Sequence, residues 1–119
     1  MRIRIVVLSM VLLSALLFPP QPAHAQSAAP VGYWTGHFSN GEPLILNLAG
    51  NGDAFLSVSG MDPVTGTWSW SPTYVGGIIT ITYNRVGFVN HLYYSITFIT
   101  TDEILFGDQG FTITLWRQW

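Results

Sequence analysis

The side chains that could act as acids, bases or metal ligands are few in this 119-residue chain. Beyond residue 25 there are two histidines, His37 and His91, and six carboxylates, all at predicted turns or loops: Glu42, Asp53, Asp62, Asp102, Glu103 and Asp108. Acids at such positions usually form solvated turns and do not converge on a cleft. His37 paired with Asp53 or Asp108 would lack any recognised metal-ligand spacing, so we interpret it as a surface residue.

The motifs of nucleophilic, redox and nucleotide chemistry are also missing from the sequence. There is no cysteine, which excludes zinc fingers, thiol nucleophiles and redox dithiols. There is no Gly-x-Ser-x-Gly elbow and no phosphate-binding loop. We therefore expect a protein that is not an enzyme and that has no metal and no cofactor.

The first 25 residues have the pattern of a secretory signal peptide. A start with two arginines precedes an apolar run over residues 5–18, and an Ala-x-Ala site after three prolines predicts cleavage following Ala25. The apolar run is shorter than the ~20 residues that cross a bilayer. The sequence predicts a periplasmic or secreted protein without a membrane span after cleavage, organised as a linker, 26–30, and one domain, 31–119.

Positive charge is scarce in the predicted mature chain. Residues 26–119 contain Arg85 and Arg117, no lysine and six carboxylates, for a formal net charge of −4. Proteins that bind nucleic acids or anionic lipids neutralise phosphates with clusters of Lys and Arg. The composition therefore excludes both as partners.

Apolar and polar residues alternate with period two along the domain, and Gly, Asn and Asp clusters interrupt the pattern at hairpin intervals. The first four strands are predicted to start 11 residues apart, which is typical of an up-and-down meander. We predict an all-β fold, an eight-stranded antiparallel barrel, with a two-sheet sandwich as the alternative, although its long crossover connections are missing. The predicted strands are 32–39, 43–49, 54–59, 65–71, 77–84, 92–99, 103–106 and 111–117.

The alternation also assigns two faces to the predicted sheet. One face carries mainly large apolar side chains, whereas the opposite face is mostly Thr and Ser and includes Trp116. The apolar face consists of Trp34, Gly36, Phe38, Leu44, Leu46, Leu48, Ala54, Leu56, Val58, Trp68, Trp70, Ile79, Ile81, Tyr83, Leu92, Tyr94, Ile96, Phe98, Phe111, Ile113 and Leu115. A sheet with one apolar face must curl or pack to bury it, and closing into a barrel also removes exposed strand edges. We expect the first set to form the interior.

Gly32-Tyr33-Trp34 at the start of the first strand and Arg117 near the end of the last one resemble the lipocalins and the wider calycin group. Thr101 and Asp102 match the first two residues of the lipocalin Thr-Asp-Tyr turn, where Glu103 replaces the Tyr. The resemblance covers residues 31–117 and implies that Gly32, Trp34 and Arg117 close one end of the barrel. A guanidinium over an indole face gains ~0.5–2 kcal/mol.

A second Gly-x-Trp, Gly66-Thr67-Trp68, continues to Trp70 and lies on the predicted fourth strand. Both indoles are expected to point inward. The interior of an eight-stranded barrel has room for side chains or for one small ligand, so the indoles either fill the core or form a wall of a ligand site. Our first functional hypothesis is an exported, non-enzymatic binding protein for a small apolar or aromatic ligand. The predicted ligand-binding residues are Trp68, Trp70, Tyr83, Tyr94 and Phe98.

Residues 83–91 form the longest predicted connection and carry Arg85, Phe88 and Val89. Apolar residues beside a lone cation suit a rim loop that closes over a ligand or docks a partner, although the loop could also fold back on its own barrel. The alternative functional hypothesis is therefore a periplasmic inhibitor or protein-interaction module that acts on an envelope hydrolase through its loops. A structural role, in which the Thr-rich face pairs with another copy, is a third hypothesis.

Overall fold

The computed structural model describes residues 28–119, which form a closed barrel of eight antiparallel strands. Each strand pairs with the next along the chain, and the last pairs with the first. The strands are β1 (Gly32–His37), β2 (Pro43–Leu48), β3 (Asp53–Val58), β4 (Val64–Pro72), β5 (Gly76–Arg85), β6 (Phe88–Thr100), β7 (Glu103–Gly107) and β8 (Thr112–Gln118). The predicted up-and-down barrel is confirmed, and the alternative sandwich is wrong. The predicted cleavage site after Ala25 lies outside the described residues.

Short polar turns join most pairs of consecutive strands, as the Gly, Asn and Asp clusters predict. Between β2 and β3, the backbone N–H of Asp53 donates to the Asn51 side chain at 3.0 Å. Between β7 and β8, the Gly110 N–H donates to the Asp108 carboxylate at 2.7 Å. Side chains that satisfy backbone donors in this way favour a tight turn, so Asn51 and Asp108 have structural roles in the hairpins.

Side chains of the predicted inward set fill the barrel. Twelve large side chains, nine of them from the predicted inward set, are less than 2% exposed, and each buried Leu or Ile contributes ~1.5–3 kcal/mol to folding. The alternation missed three core residues, Val64 at the start of β4 and Ile104 and Phe106 on the short β7. The twelve are Trp34, Leu44, Leu46, Leu48, Leu56, Val64, Ile79, Ile81, Ile96, Ile104, Phe106 and Leu115.

The predicted long loop over residues 83–91 is wrong. β5 and β6 continue as paired strands up to a two-residue turn, Val86-Gly87, and Arg85 pairs directly with Phe88. Both turn residues have positive φ, 53° and 79°, as the hairpin turns that match the twist of a β-ribbon require. His91 lies within β6 and not in a loop.

Candidate functional site

Arg117 covers one end of the barrel interior. Its guanidinium carbon lies 4.3 Å from the centre of the Trp34 ring and 5.4 Å from that of Trp119. Trp34 is fully buried whereas Trp119 is almost fully exposed. Because attraction between a cation and an aromatic face grows as water is excluded, the contact with Trp34 is the stronger one.

The same guanidinium joins three segments of the chain at this end. It donates hydrogen bonds to the carbonyl oxygens of Val31 and Thr101, the latter at 2.8 Å, and from Nε to Oδ1 of Asp102 at 3.2 Å. Val31 precedes β1, and Thr101 and Asp102 form the β6–β7 turn. Charge-assisted hydrogen bonds of this kind are about twice as strong as neutral ones. Arg117 therefore holds β1, β8 and this turn together.

The two Gly-x-Trp motifs both place a glycine where a side chain has no room. At Gly32, whose φ is +149°, a Cβ would clash with Nη1 of Arg117. At Gly66, on β4, a Cβ would overlap the carbonyl oxygen of Thr82 on β5. The repeated motif is thus explained by close approach, once to the capping cation and once to a neighbouring strand.

Three of the five predicted ligand-binding residues lie toward the Arg117 end. Nε1 of Trp68 donates to the carbonyl oxygen of Ala49 in the β2–β3 turn at 2.9 Å. Trp70 packs edge-on against Phe98, with 6.3 Å between ring centres. These three side chains are partly buried against the core and not freely exposed.

Tyr94 belongs to a different aromatic cluster, toward the opposite end. Its ring lies 4.7 Å from that of Phe106 and 6.3 Å from that of Phe111, and Phe111 in turn contacts Phe38 edge-on at 5.5 Å. Burial raises the pKa of Tyr94, and the charges of Asp108 and of Tyr83 raise it further. Trp70 with Phe98 and Tyr94 with Phe106 therefore belong to separate clusters, so the five predicted residues do not form one cluster.

A pocket of about 310 Å³ lies beside the Arg117 cap. Phe98 is the one member of the predicted ligand-binding set among its lining residues. Its volume is at the lower limit of small-molecule sites, ~300–1,000 Å³. The pocket is lined by Ala28, Ala29, Phe98, Thr100, Thr101 and Arg117.

The end of the β5–β6 hairpin, residues 83–90, projects past its neighbours and is called the tip here. β4 pairs with β5 as far as Thr82, and β7 pairs with β6 only from Ser95. Phe88 is 72% exposed, and Arg85 forms a loose ion pair with exposed Asp62 at 3.7 Å. The two predicted rim residues thus lie on a paired β-hairpin and not in an irregular loop.

Val86 was not predicted as a site residue, although it lies on the tip together with Val89, which the sequence had placed on the rim. Val86 is 86% exposed and Val89 is 61% exposed. Gly87 between two alternating segments is consistent with a two-residue hairpin turn. The turn was not predicted from the sequence because Val86 occupies the first turn position, where Asn or Asp is preferred.

The described residues were also compared with the features of metal sites and of membrane-spanning helices. Within residues 28–119, His91 Nδ1 lies 2.9 Å from the hydroxyl of Thr82, and no three His, Asp or Glu side chains come together as metal ligands. The same residues contain no helix that is long and apolar enough to cross a bilayer.

The fold gives the structural class of this protein, which is an all-β closed barrel. Its closed, eight-stranded, all-antiparallel barrel is consistent with a calycin-like barrel. Comparisons with protein-family models, curated proteins and solved structures found no match.

Proposed function

We propose that this chain is an exported, non-enzymatic, lipocalin-like barrel that works as a protein-interaction module. The apolar tip of the β5–β6 hairpin docks into a partner in the cell envelope, and a hydrolase is the partner class that we favour. The observation that carries the proposal is the exposure of Val86, Phe88 and Val89 together on one projecting hairpin.

Val86 is the most informative of these residues. A β-branched residue with φ of 53° is a conformational outlier that costs ~1–2 kcal/mol, and Asn or Gly would avoid this cost. At 86% exposure its side chain gains little from packing within the barrel. Strain without a compensating contact is found mainly at functional sites, which supports a role for the tip in binding.

The rest of the barrel provides a rigid platform for the tip. The interior is filled by side chains from all eight strands, so binding through the surface requires no rearrangement of the core. The edge of β6 before Ser95 lies outside the β7 ladder and can offer backbone hydrogen bonds to an extended segment of the partner. Apolar anchors next to such an edge are a common recognition mode.

Crosslinking from defined positions tests the proposal. The variant Phe88→p-benzoylphenylalanine carries a photo-crosslinker at the tip, and Tyr74→p-benzoylphenylalanine carries it at the other end of β5, where the parent side chain is similarly exposed (71% against 72%). We expect one envelope protein, identified by mass spectrometry, to be crosslinked at a defined site from position 88 and not from position 74.

A matched pair of substitutions then measures the contribution of the tip. Val89 and Val75 are 61% and 60% exposed, so neither Val89→Ser nor Val75→Ser should change the free energy of unfolding by more than ~0.5 kcal/mol. Val89→Ser should weaken binding to the purified partner about 10-fold or more, the effect of ~1.4 kcal/mol, while Val75→Ser leaves it unchanged. Equal effects of both, or no position-specific crosslink, would refute the proposal.

A small apolar ligand is the second candidate function, and the 310 Å³ pocket beside the cap favours it. Phe98 gives this pocket an apolar wall close to the Trp70 ring. Titration with 1-anilinonaphthalene-8-sulfonate, followed by tryptophan emission, should then saturate at one equivalent. The change in tryptophan emission should disappear in Thr100→Trp, because the new side chain fills the pocket from its exposed rim. If the titration curve of this variant is unchanged, the small-ligand candidate is rejected.

A further inference from the structure

The barrel is joined incompletely where its first and last strands meet. β1 and β8 form three residue pairs, from Tyr33 with Gln118 to Thr35 with Trp116. Both strands continue beyond these pairs, β1 as far as His37 and β8 back to Thr112. The two backbones stay close past these pairs, since a Cβ on Gly36 would overlap the carbonyl oxygen of Thr114. A groove lies along this part of the seam, and it is called the β1–β8 groove here.

The β1–β8 groove has a volume of about 550 Å³, well within the ~300–1,000 Å³ of small-molecule sites. Between its two strand ends it reaches Phe38 and Ile113 of the inward set, while its walls are formed by side chains of the outer face. The lining residues are Gly36, His37, Phe38, Ser39, Thr112, Ile113, Thr114 and Trp116.

The chemistry of the lining restricts the ligand. Trp116 is 51% exposed and presents an indole, whereas His37, Ser39, Thr112 and Thr114 provide an imidazole and three hydroxyls. Hydroxyls and a neutral imidazole can each donate and accept hydrogen bonds. No Lys, Arg, Asp or Glu is among the lining residues.

Three classes of ligand can be compared with this lining. An anionic ligand would be expected to meet Lys or Arg, which form the strong charge-assisted pairs. A purely apolar ligand would cover the hydroxyls and leave their hydrogen bonds unmade, at a cost of ~1–3 kcal/mol for each buried group. A neutral sugar ring has hydroxyls around its edge and a face of C–H groups, which suits the electron-rich face of an indole.

We propose that the β1–β8 groove binds a neutral saccharide. A pyranose ring stacks on Trp116, and its hydroxyls exchange hydrogen bonds with His37, Thr112 and Thr114. The tip lies on β5 and β6, on strands that do not contribute to this groove. The two sites are therefore independent, and one can fail without the other.

Binding to a glycan array, followed by NMR titration, tests the proposal. The array carries neutral hexose and N-acetylhexosamine oligomers together with uronic-acid oligomers as the acidic comparison. We expect the purified protein to bind neutral members, and the best of them to shift the Nε1–H signal of Trp116 and the backbone amides of His37 and Thr114.

Substitutions decide between stacking at the groove and adventitious contact. Trp116→Ala should weaken binding about 10-fold or more, and Thr114→Val, which removes one hydroxyl at constant shape, about 3- to 10-fold. Trp119→Ala is the control, since Trp119 is 94% exposed and does not line the groove. The proposal is overturned if no neutral glycan binds, if uronic acids bind better, or if Trp116→Ala and Trp119→Ala have equal effects.

Discussion

Replacement of Arg117 by methionine tests the cap of the barrel most directly. Met keeps much of the apolar stem but removes the cation that lies 4.3 Å from the Trp34 ring centre. It also removes the donors to Val31, Thr101 and Asp102. The substitution therefore separates three chain segments and uncovers a tryptophan that is fully buried in the native protein.

The size of the effect follows from these contacts. The cation–π contact with a buried indole contributes ~2 kcal/mol. The hydrogen bonds to the Val31 and Thr101 carbonyls are exposed to solvent and contribute ~0.5–1 kcal/mol each. Because Asp102 is 50% exposed, the ion pair adds less than ~1 kcal/mol. We expect Arg117→Met to lower the free energy of unfolding by ~3–5 kcal/mol, which is a large part of the ~5–15 kcal/mol typical of a domain.

Urea and thermal unfolding, followed by tryptophan emission, measure this loss. The expected decrease in Tm is ~15–25 °C for a domain of this size. Arg85→Met is the control, because Arg85 is 43% exposed and its ion pair with Asp62 is a loose surface contact. A loss below ~1 kcal/mol for Arg117→Met, or equal losses for the two variants, would show that the cap does not stabilise the barrel.

Three further predictions follow from individual residues. Val86→Asn should raise the urea midpoint by the equivalent of ~1 kcal/mol, because Asn tolerates positive φ; an unchanged midpoint would contradict strain there. Gly66→Ala should lower the free energy of unfolding by ~3 kcal/mol or more, since the methyl group would overlap the Thr82 carbonyl. A decrease well below this value would contradict the close contact. Because the pKa of Tyr94 is raised, its protonated hydroxyl contributes fully to the free energy of unfolding below pH ~10, and this contribution is lost as the pH rises further. Tyr94→Phe should therefore flatten the decrease of the unfolding free energy at alkaline pH, and an unaltered decrease would contradict this prediction.

Much of the fold was predictable because its signals are local. Period-two alternation identified the eight strands to within a few residues over most of the chain, and it assigned Leu44, Leu46 and Leu48 to the interior. It failed on β7, which is five residues long, because Ile104 and Phe106 alone give too short a pattern to assign a face. It also failed at Val86, where a residue that disfavours positive φ occupies a turn.

The candidate sites were less predictable because they depend on contacts between distant residues. Trp68, Trp70, Tyr83, Tyr94 and Phe98 all point inward as the alternation indicates, yet ring packing separates Trp70 with Phe98 from the cluster around Tyr94. The β1–β8 groove had no signal in the sequence, since nothing local tells where a ladder between the first and last strands stops.

The sequence by itself determined an all-β domain of eight hairpin-linked strands with one apolar face, because side-chain alternation and turn chemistry act over a few residues. Only the tertiary structure decided how far each pair of strands extends, because the stagger between neighbouring strands must add up to a fixed total around a closed barrel. That register aligns Arg117 with Trp34, lets the β5–β6 tip project and leaves the groove between β1 and β8.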